Sequence, residues 1–429
     1  MTVTILIVFI LCMALSFPIA IAMALGALVP QFIDASTITD TIYIIRTMVV
    51  GLDSTPILAI PLFILSGALM SRGGISQKLF DVFAYISGTR TAGLPCAVIV
   101  TCLFYGAISG SGPATCAAVG SMAVPLLVSL GYDTAFSAAM VTVAGGLGLI
   151  IPPSISFINY ALVTGTSVTS LFVAGIFPGI LIAIFLMGYA YYYCKRNGED
   201  KEKIAINYKK LRERGILGVL RDGFWALLCP VIILGSIYSG ICTPTETAAL
   251  SVIYALLVSV IAYKTLKWNQ VWSVVLEAIK AVAPLCVLIA MATALGRILT
   301  LANAPQQLAT FVESTMQGKV SFLIILNIVL LVLGMFIDGA PAILILSPLL
   351  MPVAQVYGID PVHLGVIIVV NMTIGLASPP FGLNLFVASS ISDVPITEIG
   401  KKTIPFIIMF VLALVLITFI PGISTILVK

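Results

Sequence analysis

Charge is what this chain has least of. Only 9% of its 429 residues are charged while 60% are hydrophobic, and the mean hydropathy is +1.19. A soluble domain carries about 25% charged residues. A soluble fold is therefore excluded, and apolar runs of spanning length along the whole chain imply an all-α polytopic membrane protein in a lipid bilayer. Histidine is almost missing: His363 stands alone, which excludes a transition-metal site built from several imidazoles. No CxxC pair occurs among the eight scattered cysteines, so they read as small apolar packing residues. A GxxxxGK[ST] phosphate loop is absent, and with it that route to ATP-driven work. The first 29 residues lack a basic leader region, and their apolar run is too long for a signal peptide, which leaves a retained first span.

The one strongly polar stretch is 195–222, with nine Lys/Arg against five Asp/Glu. It reads as a basic linker in the cytoplasm by the positive-inside rule, a solvated loop meeting anionic lipid rather than a nucleic-acid site. Working outward from it gives a map. Residues 2–29 cross outward, 30–53 form an outside loop and amphipathic arm, 54–71 return, and 72–90 are cytoplasmic. Residues 92–129 are a hairpin entered from inside, 135–163 a broken crossing, and 170–193 the return to the linker. In the second half 223–242 go out, 243–263 come in, 264–280 are cytoplasmic and 281–301 go out. Residues 320–356 are a hairpin from outside, 362–391 a broken crossing, and 404–427 the last span. Seventeen of the 21 Lys/Arg fall inside; Arg46, Arg297, Lys319 and Lys429 are left near the outer face.

Breaks recur in register. Pro152-Pro153 and Pro379-Pro380 each follow glycine within an apolar run, 227 residues apart. At that offset Gly112 meets Gly339, Pro125 meets Pro352, Asp133 meets Asp360 and Gly148 meets Gly375; at 229, Gly67 meets Gly296 and Leu79 meets Leu308. The map gives the two copies opposite orientations. The expected organisation is a first repeat over 1–194, the linker, and an inverted second repeat over 223–429.

Proline inside a helix removes a hydrogen bond, and lipid offers the freed carbonyl no water. Such breaks are tolerated where they line a site. Two hairpin tips supply further broken ends: Ser109, Gly110, Ser111, Gly112 and Pro113, and then Asp338, Gly339, Ala340 and Pro341. Free N–H groups favour anions, while carbonyls and hydroxyls suit a hard cation such as sodium. A carboxylate at mid-membrane, Asp338, is functional by default, a helix cap being the plainer reading. Arg297 reads either as an interfacial snorkeller or as the partner of a substrate carboxylate.

At these residues the chain resembles the large membrane subunit of a tripartite ATP-independent periplasmic (TRAP) transporter, over essentially its whole length. In plan it is similar to divalent-anion/sodium symporters. The resemblance implies a scaffold and a transport domain that moves as an elevator. It further implies sodium-driven uptake of an organic acid across the bacterial inner membrane. The partners implied are a small four-helix membrane subunit, expected as a separate chain, and a periplasmic binding protein. It places a first sodium site at Ser109, Ser111 and Gly112 with Gly145, Gly148 and Pro152, and a second at Asp338, Gly339 and Ala340 with Ser378, Pro379 and Asn384. Arg297, Thr115, Ser154 and Asn384 are the candidates for contact with substrate. Overall likeness points toward the sialic acid branch over four-carbon dicarboxylates.

Three alternatives stay open on sequence. A stand-alone sodium/carboxylate symporter needs no binding protein. An intramembrane serine protease needs His363 within reach of Ser109 or Ser111. A channel fits paired broken helices less well than alternating access does.

Overall fold

A computed structural model describes residues 1–33, 40–316 and 318–428. Within lipid, every backbone polar group has to be satisfied internally, and the described residues answer that with helices and no strands.

The first departure from the sequence map comes at once. α1 (Thr2–Ala14) and α2 (Ile19–Ile33) are two helices, not one span. Ser16 adopts a left-handed φ of 63° just ahead of Pro18. The chain folds back there, so that a Cβ on Gly26 would lie 3.7 Å from the Ile5 carbonyl oxygen. In one straight helix those residues would stand about 31 Å apart. Beyond it, α3 (Thr41–Leu52) is capped by Asp40, whose carboxylate accepts from Tyr43 N–H at 2.6 Å. Residues 34–39 of the expected outside loop, and Lys429, lie outside the described residues.

α4 (Thr55–Arg72) is a full span. The stretch 72–90, which the map assigns only to the cytoplasm, holds a helix, α5 (Ile75–Ser87), which buries Ile75, Leu79, Phe80 and Val82. That spacing puts one apolar stripe on the protein. Hairpin one is α6 (Gly93–Ser109) and α7 (Gly112–Ser129), and the first broken helix is α8 (Thr134–Gly145), a 3₁₀ turn over Gly146–Leu149, and α9 (Ile155–Thr164). α10 (Val168–Asn197) returns. The basic stretch is no loop: it holds α11 (Lys201–Glu213) and the first turns of α12 (Gly215–Tyr238). Straight-chain Lys, Glu and Arg are good helix formers, a propensity that a reading by charge alone passes over.

α13 (Pro244–Leu257) opens on a capping box between Thr243 and Glu246 and ends in a π turn over Val258–Ala262. α14 runs from Trp268 to Leu301, so most of the stretch 264–280 that the map assigns to the cytoplasm is helix as well. α15 (Ala304–Thr315) precedes hairpin two, α16 (Lys319–Gly334) with α17 (Gly339–Val356). The second broken helix is α18 (Pro361–Ala377) with α19 (Leu383–Ser392). α20 (Ile396–Phe419) and the short α21 (Gly422–Thr425) close the chain. Eight of the described helices are long and apolar enough to cross a membrane on their own.

Element bounds repeat at the sequence offsets. α7 and α17 both have 18 residues and begin 227 positions apart, and α5 and α15 begin 229 apart. Asp133 and Asp360 match because each caps the helix after a hairpin, accepting from Phe136 N–H at 2.6 Å and from Val362 N–H at 2.8 Å. Packing is densest within two groups: α1 to α4 with α12 to α14, a frame, and α6 to α10 with α16 to α20, an inner body; they meet where α14 packs on α17 and α4 on α6 and α9. α5 touches both, packing on α6 and on α12.

Candidate functional site

Tip one lies on the first unwound segment. Gly110, between α6 and α7, takes φ +63°, and a Cβ there would sit 2.7 Å from the Pro153 carbonyl oxygen. Ile155 N–H donates to Gly110 O at 3.3 Å. Around this contact oxygen atoms gather. Ser109 Oγ and Thr115 Oγ1 are 2.7 Å apart, and Thr115 Oγ1 donates to Ser111 O at 2.8 Å. Ser109 Oγ lies 3.3 Å from that same carbonyl. A Cβ on Gly148 would strike Thr115 Oγ1 and stand 2.9 Å from Ser111 O; one on Gly112 would be 3.6 Å from Gly145 O. Ser109, Ser111, Gly112, Gly145 and Gly148, grouped by the sequence reading, lie together here. Thr115, which the reading had made a substrate contact, joins the same oxygen cluster.

Pro152 is buried in the unwound segment. Ser154 is buried too, but its hydroxyl is committed: it donates to Leu149 O and accepts from Phe157 N–H at 3.2 Å. It caps α9 and braces the segment, so it is not displayed toward a substrate. The remaining hydroxyl and carbonyl oxygens are the donor type that a hard cation takes.

Tip two is assembled differently. A Cβ on Gly375 would lie 2.5 Å from the Gly334 Cα, so hairpin and broken helix touch backbone to backbone. Phe336 and Phe381 pair across the two breaks with ring centroids 5.9 Å apart. Asp338 Oδ1 accepts from Gly339 N–H at 2.9 Å, which makes it the cap of α17, and its side chain is exposed. Ser378 Oγ donates to Ile374 O at 2.8 Å. Pro379 is half-buried and would meet a Cβ on Gly400 at 3.0 Å. Ala340 begins α17 beside Gly339. Oxygen atoms do not cluster here as they do at tip one.

Asn384 falls elsewhere than expected. It is fully buried, its Nδ2 donates to Thr142 O at 2.9 Å, and its own carbonyl faces Cys116 Sγ at 3.7 Å. It reaches from the second half to α7 and α8 of the first, away from Asp338. Its Oδ1 has no partner among the described residues, a costly state for a buried acceptor. Arg297 is exposed and makes no ion pair among the described residues. A Cβ on its neighbour Gly296 would meet nothing within 4 Å.

The protease reading fails on geometry. His363 is buried with Nε2 3.3 Å from Thr418 O, whereas the partners of Ser109 Oγ are Thr115 and Ser111. No serine–histidine hydrogen bond forms among the described residues.

The family described as Tripartite ATP-independent periplasmic transporter, DctM component, matches residues 6–423. The chain belongs to this family. It is a transporter permease of the bacterial inner membrane, with many spans, and not an enzyme. It is 42% identical over 368 residues to a C4-dicarboxylate TRAP transporter large permease protein of Pseudomonas aeruginosa, covering 86% of this chain and 85% of that one. It is 39% identical over 415 residues to an isethionate TRAP transporter permease protein of Oleidesulfovibrio alaskensis, covering 97% of this chain but spanning only 64% of that relative's length. The fold is also similar to the YdaH transporter of Alcanivorax borkumensis, with a TM-score of 0.59 at 15% identity and 90% of each chain covered.

Two features of this permease lie beyond the sequence reading. A cavity of about 400 Å³ lies beside tip one, lined by Tyr105, Ser109 and Ser111 of hairpin one and by Ala68, Arg72 and Glu277 of the frame. The signal for it was the five-residue step from Gly67, already singled out, to Arg72. Glu199, taken as part of a solvated linker, accepts from Ala92 N–H at 3.0 Å and from Tyr132 O–H at 2.6 Å. It thereby ties both open ends of hairpin one to the end of α10.

Proposed function

We propose that this large permease takes up a small organic acid by sodium symport. The observation that carries the reading is the cluster of hydroxyl and carbonyl oxygens at tip one, closed over by Gly148. A hydroxyl pair 2.7 Å apart beside a shared carbonyl offers a partly dehydrated sodium ion several ligands at once. The second ion would lie at tip two, between Asp338, Gly339 and Ala340 and the segment from Ser378 to Pro379.

Relatives are named for C4-dicarboxylates, isethionate and ectoine. A small carboxylate or sulfonate is therefore the substrate class proposed, and sialic acid is kept as one acid to be tried. A small membrane subunit and a periplasmic binding protein are the partners proposed. The halves are taken as an inverted repeat, and the inner body as an elevator sliding on the frame. Matching caps and breaks at 227 residues support the repeat, and the division of packing supports the elevator.

The test is uptake into proteoliposomes with an imposed sodium gradient, with and without the binding protein encoded nearby. Uptake that needs both supports the reading. Equal uptake without sodium removes the symport, and equal uptake without binding protein favours the stand-alone symporter.

A further inference from the structure

The cavity beside tip one is a slot with one charged end. Its frame wall runs from Ile64 to Arg72 on α4 and from Glu277 to Leu285 on α14, eight steps each, or about 12 Å. A Cβ on Gly67 would lie 3.1 Å from the Ser109 Cα, which fixes the level of the tip. Arg72 stands five residues further along, about 7.5 Å in rise, a distance an extended guanidinium covers. Its Nη2 is 3.1 Å from Glu277 Oε2, and both side chains are more than half exposed. Every other lining group of the slot is uncharged.

From this geometry we infer that Arg72 is a release-side ligand for the transported anion and that Glu277 is its latch. The inference rests on the organic-acid reading above. An acid leaving tip one meets a single cation on the frame wall. A carboxylate or sulfonate can take the guanidinium fork in two parallel hydrogen bonds. An exposed ion pair is weak, so the incoming anion displaces Glu277, and Glu277 takes the site back as the anion moves on. Because Arg72 is on the frame and Ser109 on the inner body, the guanidinium serves the substrate only when the tip stands at this level. Arg297, which the sequence reading offered for this task beside the reading as an interfacial snorkeller, is not among the residues lining the slot.

The test needs no knowledge of the substrate. Ala281, exposed in the slot wall, is replaced by cysteine in a cysteine-free form of the full chain. Inside-out vesicles are then treated with an anionic thiol reagent, sulfonatoethyl methanethiosulfonate, or its cationic trimethylammonium counterpart. The anionic-to-cationic rate ratio is expected to rise about tenfold in Glu277→Gln and to fall about tenfold in Arg72→Gln, the size of one charge acting across a partly hydrated slot. Arg72→Lys keeps the charge and should keep the parent ratio, which separates charge from misfolding. The same ratio in all variants overturns the inference, as does a cysteine that neither reagent reaches from the cytoplasmic side. Sodium-driven uptake of succinate and isethionate is measured separately, for the same variants, in proteoliposomes given the binding protein on the outside. Loss of sodium-driven uptake in the parent, with the ratios shifting as expected, marks a failure of the transport reading and not of the anion site.

Discussion

A Cβ on Gly106 would lie 2.6 Å from the Cα of Gly148. The first arm of hairpin one thus crosses the unwound helix backbone against backbone, and Gly334 and Gly375 repeat the crossing in the second half. Backbone atoms cannot rotate out of the way, so an added methyl has to push the arm off the helix. Gly106→Ala is expected to destabilise by about 1–3 kcal/mol, the usual cost of overpacking, and to lower the thermal midpoint and uptake together. Gly188→Ala, where a Cβ would meet nothing within 4 Å, should leave both unchanged. Equal midpoints for the two variants would mean that the arm and the broken helix are not in contact.

The proposed ion site at tip one is tested at Thr115. Thr115→Val keeps the shape of the side chain and removes the hydroxyl that lies 2.7 Å from Ser109 Oγ. Half-maximal uptake should then need about tenfold more sodium, which corresponds to a loss of about 1.4 kcal/mol. The Ser109→Ala, Ser111→Ala pair should shift the curve in the same direction with expression intact. A sodium curve that does not move in either variant takes tip one out of the ion site.

Much of this was legible in the sequence, because breaks in apolar helices leave a strong mark. Gly-Pro punctuation located both hairpins and both unwound segments to within a few residues. What the sequence hid was polar or amphipathic and short. α11 carries too much charge to register as a hydrophobic run, so it reads as a loop, and α5 is a short amphipathic helix that the map records only as a cytoplasmic stretch. Pro18 divides what looks like one apolar span into α1 and α2. Arg72 escaped notice as a site residue because positive-inside reasoning explains any cytoplasmic arginine equally well. Asn384 was singled out, but its partners Thr142 and Cys116 lie in the other half, and no local pattern reports a contact over that separation.

Glu199 is expected to hold hairpin one at its open end. Glu199→Ala removes the acceptor of Ala92 N–H and Tyr132 O–H. Hydrogen bonds to a charged group contribute about 1.5–3 kcal/mol each, less where water competes, so a total loss of about 2 kcal/mol is expected. The thermal midpoint should fall, and Glu199→Gln, which keeps one acceptor, should fall less. No change in either would return the residue to an ordinary solvated linker.

Orientation of the halves is tested at the far ends of the second hairpin arms. Ser129 and Val356 are exposed, end α7 and α17, and lie 227 residues apart. Single cysteines at these positions, in a cysteine-free background, should be labelled from opposite faces of the membrane, Ser129→Cys from the cytoplasm and Val356→Cys from outside. Labelling from one face would replace the inverted repeat with a parallel one.

Movement is tested by locking the two packing groups together. A Cβ on Gly67, in the frame, would lie 3.5 Å from the Ser109 Cβ in the inner body, within the span of a disulfide, about 3.5–4.5 Å. A Cβ on Gly120 would lie 4.0 Å from the Val141 Cβ, and both residues belong to the inner body. If that body slides as a unit, oxidising Gly67→Cys with Ser109→Cys should abolish uptake relative to the same protein reduced. Oxidising Gly120→Cys with Val141→Cys should leave uptake near its reduced value. The comparison is made at saturating sodium, because the first pair also loses the Ser109 hydroxyl. Uptake that survives the first disulfide would show that α4 and tip one travel together, and the elevator would then have to be abandoned. The ion cluster would stand in that case, since Ser111, Thr115 and Gly148 keep their geometry whichever body moves.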